Sequence, residues 1–233
     1  MFIEALPHSP APIWQGPKES RAHRAVNSRS KGACRVATVV FGYKIFCESY
    51  LERHVLYSGE ANPNVVDIQE QLPPLLYPAP DGKLRRHHFD YRFTLSCGTR
   101  LAVAVKPAAS AEKHQLLEEL KAIAPHMPIE LADGVVLLTE KDVPKDLVAN
   151  ATFLHHAKRE SNPEHDEIVR AIVSEGTVMT IGSVVARSGL EGAAFRTIGR
   201  LIGRQEINVL DDGIYDYPTR IQSAAAGVEA LAA

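Results

Sequence analysis

Along the chain the spacing of apolar residues changes repeatedly, and each change marks an element. From Tyr43 to Tyr57, the residues Ile45, Phe46, Tyr50, Leu51, Val55 and Leu56 recur at helical spacing, which places Glu48 in mid-helix. Gly59 and Asn62-Pro63 end that helix. Val65 to Ile68 has the length of a short strand, and Leu72 to Tyr77 is extended because of its prolines. Asp81-Gly82 is a two-residue turn signal before a strand from about Leu84 to Leu95. After the turn Cys97-Gly98-Thr99 comes the strand Leu101 to Val105, so the region reads as an antiparallel meander. Ser110 caps a helix that carries Leu116, Leu117, Leu120 and Ile123, and Pro125 and Pro128 stop it. Val135 to Leu138 is a continuous apolar run suited to a buried strand.

A composition shift at Ala157 to Asn162 reads as a linker, with His155-His156 solvated beside it. Asn162-Pro163 then opens a helix containing Ile168, Val169, Ile172 and Val173. Thr180 to Ser188 and Glu191 to Arg204 are two further helices, and Ile207 to Tyr217 reads as a hairpin turning at Asp211-Asp212-Gly213. Three helices and a hairpin in this order predict a winged helix. The expected organisation is a flexible basic arm over 1–35, an α/β domain over 36–156, a winged-helix domain over 157–222 and a flexible tail over 223–233.

Composition narrows the function classes. A net charge of −2 excludes a uniformly basic nucleic-acid coat, yet residues 1–35 hold six Lys and Arg against two Glu. That arm is either a segment that orders on DNA or a solvated tail. Three widely spaced cysteines, Cys34, Cys47 and Cys97, make neither a zinc pattern nor a disulfide framework. Neither a membrane span nor a signal peptide is legible, so a cytoplasmic protein is the expectation.

Hydrolysis of a phosphodiester by a metal needs hard oxygen ligands and a cation near the charge that develops on phosphorus. Glu48, Asp90 and Lys106 supply such parts. Asp90 and Lys106 lie sixteen residues apart across one hairpin, so antiparallel pairing brings them together. Strand alternation puts Lys106, Ala104 and Ala102 on one face and Val105 and Val103 on the other.

The ordered set Glu48 to Arg53 (Glu-Ser-x-Leu-Glu-Arg), Val65 to Pro73 (Val-x-Asp-Ile-x-x-Gln-x-Pro), Asp90 and Val105-Lys106-Pro107 resembles the TnsA endonuclease family. The resemblance covers roughly residues 29 to 145. It implies a restriction-endonuclease-like PD-(D/E)XK fold, a mixed sheet flanked by helices, with a C-terminal winged helix. It implies cutting of one strand of double-stranded DNA at transposon ends, beside a transposase or ATPase partner. Mg2+, or Mn2+ in its place, would be held by Glu48, Asp90 and the Val105 carbonyl, with Lys106 at the water or phosphate. In the family the position two before the lysine is an acid or glutamine, and here it is Ala104. A degenerate nuclease, a metal held by the remaining ligands, or an acid supplied from elsewhere (Glu70 and Glu112 being nearest) all fit that departure.

Other residues read more plainly. Glu52 reads as a surface partner of Arg53 or of a neighbouring turn, and His87 and His88 as strand residues without a metal role. Lys44, just before Glu48, is placed to contact a DNA backbone. Arg196, Arg200 and Arg204 recur at i, i+4 and i+8 like the cations of a DNA-reading helix. The acidic hairpin, with Asp211, Asp212 and Asp216, argues equally for a protein partner.

Overall fold

A computed structural model describes residues 16–24, 36–79, 81–176 and 178–225. A hairpin opens the fold: β1 (Val36–Val40) pairs antiparallel with β2 (Tyr43–Cys47). Its two-residue turn, Phe41-Gly42, has φ of 48° and 80°, the left-handed geometry that tight hairpins use. The predicted helix therefore starts later, as α1 (Tyr50–Ala61). Ile45 and Cys47 alternate inward on β2 with Phe46 outward, so Ile45 and Phe46, which matched a helix, belong to a strand. Ser49 caps α1 by accepting from the Glu52 N–H at 3.1 Å, and Glu52 bonds back to the Ser49 hydroxyl and the Glu48 N–H.

The central sheet has the order β3 (Val65–Glu70), β6 (Tyr91–Leu95), β7 (Arg100–Val105), β8 (Gly134–Leu138), with β7 and β8 parallel and the other pairs antiparallel. The strand expected from Leu84 to Leu95 is broken. Its first part, β5 (Leu84–His87), pairs with β4 (Leu75–Pro78) in a separate ribbon. Its second part is β6. At the break Phe89 is fully buried, and the Gln71 N–H, from a residue with φ of 48°, donates to the Asp90 carbonyl. The parallel crossover from β7 to β8 runs through α2 (Ala108–Lys113) and α3 (Leu116–Ile123), two helices in place of the one expected.

Both faces of the sheet are covered. Val103 and Val105 join α1 and Ala151 in one apolar cluster, while Ala102 and Ala104 join Leu116, Leu120 and Ile123 in another. The alternation expected for β7 is thus borne out, and the architecture is a mixed sheet flanked by helices.

Helix α4 (Lys145–Lys158) occupies most of the stretch expected to lead into a linker. It packs against α1 on one side and α7 on the other. His155 is not solvated. It is 2% exposed, stacks on Tyr57 at 4.0 Å, and bonds Glu60 at 2.6 Å and Thr38 at 2.9 Å. The C-terminal region contains α5 (Pro163–Val173), β9 (Met179–Thr180), α6 (Ile181–Ser188), α7 (Gly192–Gly203), β10 (Ile207–Val209) and β11 (Arg220–Ser223). Its three-stranded sheet has the order β10, β11, β9. The predicted hairpin partner is corrected: β10 pairs with 221–223, whereas Ile214 and Tyr217 are exposed in the connecting loop. Fully buried Ile221 supplies the apolar anchor that Ile214 does not.

Residues 16–24, placed by the sequence in a flexible arm, lie across the domain as a strap. The Lys18 N–H donates to the Gly42 carbonyl at 2.8 Å, and the Lys44 N–H to the Lys18 carbonyl at 2.9 Å. Arg21 forks onto Asp67 at 2.7 and 2.9 Å and sits 3.9 Å from the Tyr43 ring centre. The rest of the arm and residues 226–233 of the tail lie outside the described residues. Among the described residues no helix is long and apolar enough to cross a membrane.

Candidate active site

A cleft of about 770 Å³ opens where the ends of β5 and β7 meet α1, α2 and α3, and Glu48, Asp90, Ala104, Val105 and Lys106 all line it. The three chemistry-bearing residues read from the sequence are therefore brought together. Glu48 arrives from the end of the β1–β2 hairpin, one residue before the α1 cap, and not from mid-helix. Asp90 sits at the bend before β6, pinned by its own N–H to the Val103 carbonyl at 2.9 Å. Lys106 follows β7, exposed, with its N–H on the Leu138 carbonyl at 3.1 Å.

The Val105 N–H donates to Asp90 Oδ2 at 2.7 Å. Burial, then the neighbouring Glu52 carboxylate, pushes the Asp90 carboxyl up to about 7, against the pull of the Val105 N–H and Lys106. Glu52 is also raised, by burial first, and is only 8% exposed. It is a cap acceptor in the cleft wall, bonded to the neighbouring turn as one of the two expected partners, but buried and not on the surface beside Arg53. Its signal was Ser49-x-x-Glu52, the capping-box spacing.

The acids proposed to replace the one missing at position 104 are elsewhere. Glu70 is 1% exposed and bonded to Ser20 in the strap, and Glu112 lines a different groove on α2. The further acids at the cleft are Glu52, held in the α1 cap, and Glu119, bonded to Tyr77 and His87. Among the described residues, no group of three or more His, Cys, Asp or Glu side chains forms a ready metal cluster. Glu48 and Asp90 are the two cleft carboxylates that the family resemblance assigns to a metal.

Sequence reasoning missed a cation contact inside the cleft. Arg24, at the end of the strap, forks onto Glu48 at 2.8 and 3.1 Å. No local periodicity points to it, because the partners are 24 residues apart. His87 and His88 line the cleft as well. His87 bonds Glu119 at 3.0 Å, which also accepts from the Tyr77 hydroxyl at 2.9 Å, while burial and then Arg24 hold His88 below its ordinary value.

The cations assigned to DNA fare differently. Arg200 is 1% exposed and bonded to Asp166 at 2.7 Å and Thr197 at 3.0 Å, so it cannot reach a phosphate. The face of α7 carrying it is turned into the α5–α7 core, and helical spacing alone does not tell an inward arginine from an outward one. Arg204 shares Asp166 at 2.7 Å, and Arg196 pairs with Glu160 at 3.2 Å. Lys44 pairs with exposed Glu19 at 2.6 Å and does not line the cleft. Of the acidic loop, Asp211 is taken up by Arg220 at 2.6 Å. Burial holds the Cys47 thiol at about 12, in keeping with a packing role.

The cleft can offer carboxylates to a cation and a lysine to an anion at the same place. No protein-family model matches the chain, and no curated protein does either.

Proposed function

We propose that the chain is a metal-dependent endonuclease of the TnsA type, acting on one strand of double-stranded DNA. One observation carries the reading: Glu48, Asp90 and Lys106, from three separate segments, line a single cleft at the C-terminal end of β7. The donor set suits Mg2+ or Mn2+ in kind, being carboxylate oxygen, with the Val105 carbonyl as the third ligand that the family resemblance implies. A cation there would polarise the phosphate and lower the pKa of a bound water.

The protein's own groups have definite tasks in this scheme. Asp90, its carboxyl pushed up to about 7, would hold the cation as the carboxylate, in which form the Val105 N–H still bonds its Oδ2. Glu48 supplies the second carboxylate from the α1 N-terminus. Lys106 places a positive charge where the phosphate gains negative charge. We read the α5–β9–α6–α7–β10–β11 order as a winged helix with a protein-docking role, a transposase or ATPase being the expected partner. With Arg200 buried, only Arg196 and the half-shared Arg204 remain on α7 for duplex contacts.

Ala104 favours a second reading, a catalytically degenerate nuclease fold that binds DNA and scaffolds a partner. Nicking of supercoiled plasmid in Mg2+ and in Mn2+ separates the two. The first reading expects nicking by the native chain that Lys106→Ala lowers by about 100-fold or more, as loss of one charge-stabilising group does. DNA binding with equal, background nicking by both proteins favours the second.

A further inference from the structure

We infer that Arg24 is a built-in cation that occupies Glu48 and has to leave it before a divalent metal can be held there, so that the strap carrying Arg24 restrains the cleft. The inference rests on the metal-cleft reading above. Both Glu48 oxygens accept from the guanidinium, at 2.8 and 3.1 Å, so a metal approaching the carboxylate meets a positive charge already seated on it. The two charges repel, and only one of them can be the main partner of Glu48.

Arg24 is delivered by more than its own ion pair. Ahead of it, the strap is anchored by Lys18 to Gly42, by the Arg21 fork on Asp67, by Arg21 to the Ile68 carbonyl at 2.7 Å, and by the His23 N–H on the Gln71 carbonyl at 2.9 Å. A tethered cation held in place competes at a high effective concentration. The pair is nevertheless displaceable, since its side chains are 32% and 21% exposed. Ala104 tilts the competition further toward Arg24, because it contributes no oxygen to the metal.

Calorimetric titration of the full chain with Mn2+, at about pH 8 where carboxylates are ionised, tests this. Arg24→Gln is expected to bind Mn2+ about fivefold more tightly than the native protein, the factor that a partly exposed ion pair contributes. Arg21→Gln, which loosens the strap but keeps Arg24, is expected to give a smaller gain in the same direction. Asp90→Asn removes a ligand and is expected to abolish uptake in either background. Native Mn2+ binding with equal or weaker binding by Arg24→Gln overturns the restraint while leaving the metal cleft standing. No uptake by native or Arg24→Gln protein, both folded by circular dichroism, overturns the metal cleft and the restraint together.

Discussion

At the scale of single residues, Asp90 shows how the fold prepares a group. The bend between β5 and β6 buries its carboxyl beside Glu52, raising it from 3.8 to about 7. A carboxyl raised in the folded state adds stability while both states are protonated. That stability is lost as pH climbs from the unfolded value toward the folded one, and the full loss is present above about 7. The cost at pH 8 is on the order of 2–4 kcal/mol, given 1.36 kcal/mol per pKa unit. Asp90→Asn keeps an acceptor for the Val105 N–H and removes the charge. In chelator it is expected to be more stable than the native protein at pH 8, with the advantage shrinking toward pH 5. Denaturation at both pH values checks this, and a pH-independent difference contradicts it. That Asp90 and Lys106 come together was legible from the pairing across one hairpin, whereas Glu48 joined them only through the ordered resemblance, since helical spacing put it in mid-helix and not before the α1 cap. Arg24 and Glu52 were not legible as parts of the cleft. Arg24 acts through a contact distant in sequence, and Glu52 carries a charge that its cap position hides.

At the scale of elements, periodicity succeeded for helices that bury one face and failed for the helix that buries two. The apolar stripes of α5 and α6 follow from burial on a single side, while β7 is buried on both faces and alternates between two apolar clusters. Helix α4 lies between α1 and α7, so its apolar residues are scattered around it and no stripe announces the helix. The β1–β2 hairpin was concealed because Ile45, Phe46, Tyr50 and Leu51 satisfy helical spacing across a strand and a cap. Helix α7 carries the sharpest reversal. Its arginine row was read as a DNA-facing stripe, yet Arg200 ties α7 to Asp166 on α5 from inside the core. Arg200→Gln strips a buried carboxylate of its main partner and is expected to cost about 3 kcal/mol. Arg196→Gln breaks an exposed pair and is expected to change stability by no more than about 0.5 kcal/mol. Urea denaturation of the two variants measures both, and equal effects would return Arg200 to the surface.

At the scale of the whole molecule, the fold brings distant segments to one cleft. The hairpin delivers Glu48, the β5–β6 bend delivers Asp90, β7 delivers Lys106 and the strap delivers Arg24. Meanwhile α4 joins the sheet domain to the C-terminal helices, with Asn150 bonding both Gly213 and Tyr215 of the loop before β11. The sequence made the mixed sheet and the three C-terminal helices legible. The strap and the α4 junction depend on polar contacts between remote residues, which no local pattern encodes. The central claim is that the cleft holds a divalent cation on Glu48 and Asp90, and crystals soaked in Mn2+ at about pH 8 and measured for anomalous scattering test it most directly. The account predicts a peak within about 2.0–2.3 Å of an oxygen of each carboxylate, with the Arg24 guanidinium moved off Glu48. A cleft without a peak, or a peak away from both carboxylates, in crystals where Arg24 still forks onto Glu48, would contradict it.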